Sequence, residues 1–170
     1  MTFSEAVKTC FSKYVTFSGR AGRPEYWWFL LFVVLISAVL SVVDRMLFGV
    51  NPETLEQSRL FTGLFQIATF LPLLAAGWRR MHDGGYPGWY LLLPMLVSMT
   101  TVLFLFSGIM AFSFMEARVE DPDVLRGPAA AVGLTGLFVA GIVQLALAVL
   151  MIWWLTRPSQ PETNEYGAPS

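Results

Sequence analysis

Residues 89–115 read WYLLLPMLVSMTTVLFLFSGIMAFSFM, and not one of them carries a charge. A hydrocarbon layer about 30 Å thick is crossed by roughly 20 apolar helical residues. Buried helices of soluble proteins rarely stay uncharged over such a length. Three further stretches share the property: Tyr26 to Val43, Leu60 to Trp78, and about Val132 to Leu155. Four in one chain of 170 residues predict an all-α membrane protein, a four-transmembrane-helix bundle with spans at about 26–43, 60–78, 89–115 and 132–155.

Composition points the same way. Hydrophobic residues make up 55% of the chain and charged residues only 14%, where a soluble domain carries about 25% charged. Most of the surface is therefore expected to face lipid. The net charge of -1, from 11 basic and 12 acidic residues, leaves no basic excess for nucleic acid. Cys10 is the one cysteine, so neither an internal disulfide nor a cysteine metal site is available. It reads as a small apolar residue on a helix face. The first span reads as a span and not as a cleavable signal peptide, because its apolar stretch is long and Asp44 and Arg45 follow it.

Charge and aromatic placement orient the spans. With the N-terminus inside, the inner segments hold Lys8, Lys13, Arg20, Arg23, Arg79, Arg80 and Arg157. The outer loops hold Arg45, Arg59, Arg118 and Arg126, diluted by Asp44, Glu53, Glu56, Glu116, Glu120, Asp121 and Asp123. Basic residues concentrate on the cytoplasmic side. All six Trp lie at inner span ends, at Trp27, Trp28, Trp78, Trp89, Trp153 and Trp154, and all five Tyr fall in the same half. These rings favour the membrane interface. Both termini are thus expected in the cytoplasm.

Residues 1–19 read as an N-terminal amphipathic interfacial segment. Thr2 and Glu5 have capping-box spacing, and Phe3, Val7, Cys10, Phe11 and Tyr14 recur at helical steps. Residues 20–157 form the transmembrane domain. Residues 158–170, rich in Pro, Ser, Glu and Gly, read as a disordered cytoplasmic tail. Asn51-Pro52-Glu53 is helix-starting chemistry ahead of the second span, and Pro128 is placed to open the fourth. Pro72 and Pro94 are expected to kink their helices. Gly136 and Ala140 form a small-residue pair suited to close helix packing, and the amides Gln66 and Gln144, at membrane depth, are placed to bond to each other or across a dimer, as structural glue more than as a substrate contact.

Two inner-face stretches carry the remaining information. The first runs Phe17-Ser18-Gly19-Arg20-Ala21-Gly22-Arg23-Pro24-Glu25-Tyr26-Trp27-Trp28, and the second Trp78-Arg79-Arg80-Met81-His82-Asp83-Gly84-Gly85-Tyr86-Pro87-Gly88-Trp89. Glycines turn the chain, Pro24 and Glu25 start a helix, and Arg79 and Arg80 favour a helix end. Both stretches face one side, so Glu25 and Asp83 are expected to pair with arginines there. One reading is an ion-paired collar that fixes topology. The other is a site for an anionic headgroup, with Arg20, Arg23, Arg79 and Arg80 as ligands and Glu25, His82, Asp83, Trp78 and Trp89 as support.

Together the two stretches resemble the domain-of-unknown-function family 805, bacterial inner-membrane proteins of the YhaH type. The resemblance covers most of the chain, from about Phe11 to the fourth span. Met81 stands where the family commonly has Leu, and Gly84 where it often has Thr or Ser. The resemblance implies a bacterial inner-membrane location and no particular activity.

The functional expectation is a non-enzymatic membrane scaffold or assembly protein, with membrane lipids, a homo-oligomer or a membrane-protein partner around it. The alternative is binding or transport of an anionic lipid or small anionic solute at the collar. Ion-coupled carriers place ionisable residues inside their spans, and these spans hold none. Catalysis has only His82, Asp83 and Glu25 to draw on as acid–base groups, with no metal set, activated nucleophile or cofactor motif.

Overall fold

The computed structural model describes residues 1–49, 58–116, 118, 121 and 123–169. Five helices follow in order: α1 (Phe3–Ser12), α2 (Arg23–Phe48), α3 (Leu60–Asp83), α4 (Leu93–Glu116) and α5 (Asp123–Thr156). A short 3-10 helix, Gly88–Leu92, precedes α4. The described residues are all-helical, and four of the helices are long and apolar enough to cross a membrane. The helix start expected at Asn51-Pro52-Glu53 lies outside the described residues, as does Glu120.

The helices α2, α3 and α5 are each longer than their apolar stretches. α2 runs past Val43 through Asp44, and α3 continues past Trp78 to carry Arg79, Arg80, His82 and Asp83 in its last turns. Pro94 falls in the first turn of α4, where its missing N–H costs nothing, so it starts a helix and does not kink one. Pro128 lies within α5, which already begins at Asp123.

The chain divides into two compact units. One comprises Met1–Gly88 and Leu155–Ser170, the other Trp89–Trp154. In the first, α2 packs along α3 and α1 lies against both. α1 starts with the reciprocal cap its sequence calls for: Glu5 N donates to Thr2 Oγ1 at 3.3 Å, and Thr2 N to Glu5 Oε2 at 2.7 Å. Ala6 and Cys10 are fully buried, and the phenyl rings of Phe11 and Phe29 meet edge-on at 5.4 Å. The apolar face of α1 is therefore spent largely on the protein itself. Burial at Cys10 also pushes the thiol up to about 12, which keeps it protonated and unreactive.

Two polar devices fasten α3, one to α2 and one to the segment after α1. Asp44 is fully buried near the end of α2. Its carboxylate accepts from Phe61 N at 3.0 Å, Thr62 N at 2.9 Å and Thr62 Oγ1 at 2.8 Å, capping the start of α3. The second device follows from Pro72, which has no N–H to offer the carbonyl of Ala68 one turn earlier. The Tyr14 hydroxyl donates to that carbonyl instead. The segment just after α1 is thereby tied to the interior of α3.

In the second unit, α4 has no buried residue. Gly136 of α5 faces Phe104 of α4 so closely that a Cβ there would lie 2.9 Å from the ring, which is the close packing its small-residue motif provides. Toward the other end the two helices leave an apolar groove of about 460 Å³, lined by Leu105, Gly108, Phe112, Leu125 and Ala129 among others. Tyr90 stacks on Trp154 at 5.2 Å. The Oε1 of Gln144 is buried without a hydrogen-bond partner.

Candidate functional site

The inner-face stretches come together at the C-terminal end of α3. Gly19 takes a positive φ of 85° to swing the chain across, and Ala21 N then donates to Arg79 O at 3.1 Å. That one backbone bond sets the first stretch against the last turns of α3. Arg20, Glu25, Arg79, Arg80, His82 and Asp83 are all buried there.

The charges are paired with little room for choice. Arg79 Nη2 donates to Glu25 Oε1 at 2.8 Å. Asp83 takes one guanidinium on each oxygen, Arg20 Nε at 2.9 Å and Arg80 Nη1 at 2.5 Å. Three buried guanidiniums thus share two buried carboxylates among the described residues. Burying them is tolerable only if the remaining N–H groups find acceptors. Backbone carbonyls supply them. Arg79 reaches Thr16 O at 2.5 Å. Arg80 reaches Leu155 O at 3.0 Å, together with Arg157 O. Arg20 reaches Gln160 O at 2.5 Å and Glu162 O at 2.8 Å. Arg79 Nε is left as a buried donor without a partner.

The tail therefore differs from its sequence expectation. Composition predicts disorder over 158–170, yet residues between Gln160 and Gly167 lie on the collar. Gln160 N donates to Asp83 O at 3.1 Å, and Asn164 Nδ2 to His82 O at 2.9 Å. Tyr166 stacks flat on His82, ring centres 3.8 Å apart. The physical reason is that guanidinium N–H groups accept carbonyl oxygens as partners whatever side chains those residues bear. Gly85 has a φ of 79°, and a Cβ there would strike the Gln160 side chain. Arg157 covers Tyr86, bonding its hydroxyl, with the guanidinium 5.9 Å from the ring centre.

The proposed site residues do not all arrive. Arg23 is exposed on the first turn of α2, outside the buried cluster. Trp78 does line it, edge-on to Phe17 at 5.6 Å. Trp89 belongs to the other unit, where it meets Tyr90 at 4.5 Å. His82 Nδ1 lies 3.1 Å from Gly19 O, so with Tyr166 over its face the ring is held on two sides. The carbonyls of Thr16, Leu155, Gln160 and Glu162 escape sequence reasoning, since a backbone oxygen leaves no mark in residue type. Tyr166 was the available clue, an aromatic ring in a stretch otherwise polar. Among the described residues no group of three or more His, Cys, Asp or Glu gathers as for a metal ion.

This arrangement can lock three segments of chain together, because its donors and acceptors are engaged almost completely within the chain. A family model described as "Protein of unknown function (DUF805)" matches residues 14–168, which takes in every residue of the lock. The chain belongs to the DUF805 family. It is similar to the inner membrane protein YhaI of Escherichia coli (strain K12), 41% identical over 80 residues that cover 47% of this chain and 62% of the relative. It is also similar to the inner membrane protein YhaH of the same strain, 38% identical over 80 residues, 47% of this chain and 64% of the relative. The chain thus matches less than two thirds of the length of either relative. No solved structure matches it. The lock is accordingly a feature of a DUF805 chain whose relatives are inner-membrane proteins.

Proposed function

We propose that this DUF805 chain is a non-enzymatic scaffold or assembly protein of the bacterial inner membrane. The observation that carries the reading is the saturation of the collar. Arg20, Arg79 and Arg80 are buried and committed to Asp83, Glu25 and backbone carbonyls, so an incoming phosphate has to displace protein acceptors. The surface left unspent is helix face, α4 above all. That balance favours contact with other membrane proteins over capture of a polar ligand.

The same bonds support the topology. Arg20 precedes the first span and Gln160 and Glu162 follow the last, yet they are hydrogen-bonded. Segments before and after the spans meet on one side only if the number of crossings is even. Together with the inner excess of Lys and Arg, this favours both termini in the cytoplasm.

Native mass spectrometry of the gently extracted protein, beside Arg23→Ala, tests the reading. Arg23 is the exposed arginine of the group, so its removal spares the buried lock. A homo-oligomer or protein complex without bound anion is the expected result. An anionic lipid retained by the wild type and lost from the folded variant would replace the scaffold with a headgroup-binding protein.

A further inference from the structure

Gln66 is a polar residue of α3 that the packing leaves unused. It is exposed, its backbone carbonyl accepts from Thr69, and its carboxamide has no partner among the described residues. At about 1.5 Å per residue it lies roughly 18 Å along α3 from Trp78, well inside a hydrocarbon layer of about 30 Å. No water is present there to satisfy an amide, so leaving it bare opposes the fold. Leucine at this position would carry no such penalty.

Its neighbours on the helix define a face. Phe70, one turn on, is 57% exposed and Ile67 is 73% exposed. One turn back is Gly63, where a Cβ would meet nothing within 4 Å. A second helix can therefore come close at Gly63 and set its own polar group against the amide, as small residues allow in membranes.

We infer that this face of α3 binds a second copy of the chain about a two-fold axis, with the two Gln66 carboxamides hydrogen-bonded to each other. Chemistry selects the partner. A carboxamide carries N–H donors and a carbonyl acceptor in one plane, so two of them are self-complementary. An acyl chain offers neither group, and a charged partner would bring its own charge into the hydrocarbon. A two-fold axis sets each residue near the axis opposite itself. The inference rests on the scaffold reading and names its partner as the chain itself.

Disulfide cross-linking in native membranes tests it. Cys10 is fully buried, so the unaltered chain gives a silent background. Ile67→Cys and Phe70→Cys should each yield a covalent dimer, while Val39→Cys, 58% exposed on α2, should not. Adding Gln66→Leu should weaken dimerisation about three- to thirtyfold, the range of a single interhelical polar contact, and Gln66→Asn should retain most of it. Equal yield from Val39→Cys, no dimer from either α3 variant in inserted protein, or indifference to Gln66→Leu would each overturn the inference. A co-purifying protein complex that survives Gln66→Leu without any chain–chain cross-link would end the dimer and leave the scaffold standing. A dimer that carries an anionic lipid lost with Arg23→Ala would do the reverse.

Discussion

The unit made of Met1–Gly88 and Leu155–Ser170 buries arginines, aspartates and a histidine, each held by named partners. In the unit Trp89–Trp154 no residue of α4 is buried. The ion pair seen there, Arg126 with Glu116 at 3.6 Å, is exposed. Both carry long apolar helices, so hydropathy does not separate them. What separates them is how a unique arrangement is specified. Directional polar contacts admit one geometry, and any other leaves a charge or carbonyl bare. Apolar contacts in lipid admit many, because acyl chains replace a lost helix neighbour at little cost.

Substitutions measure that difference. Asp83→Ala strips the shared carboxylate from two buried guanidiniums. Breaking a buried pair in this way costs about 3–5 kcal/mol, so the variant should unfold at markedly lower temperature in detergent, or fail to accumulate. Tyr14→Phe removes only the hydroxyl that serves the Ala68 carbonyl freed by Pro72. A carbonyl left unsatisfied at membrane depth costs about 1–3 kcal/mol, and a smaller downward shift in the same melt is the outcome to look for. Ile109→Ala trims a side chain 64% exposed on α4, and a change within about 0.5 kcal/mol is expected, as for surface substitutions generally. A large effect at Ile109 would erase the contrast. A negligible one at Asp83 would show the lock to be ornamental.

The sequence disclosed these two kinds of order unequally. Apolar length is a property of residue type, so the four spans, the Thr2–Glu5 cap and the close packing at Gly136 could all be read directly. Which arginine meets which carboxylate was open, and the structure settled it through a backbone bond from Ala21 to Arg79 that no side chain announces. Asp44 looked like one acid of an outer loop, because nothing local shows that α2 extends far enough to bring it to Thr62. The tail misled for a related reason. Composition records what side chains lack and is blind to carbonyl oxygens, which are what Arg20 uses at Gln160 and Glu162.

The bond from Arg20 to Gln160 has a consequence in time. Its partners are 140 residues apart, and a ribosome adds about 5–20 residues per second. For on the order of ten seconds a nascent chain carries Arg20 without the carbonyls that will surround it. A chain that stops before Gln160 would hold all four apolar helices and still leave that guanidinium short of acceptors. Synthesis of the segment around Gln160 therefore sets the earliest moment at which the lock can close.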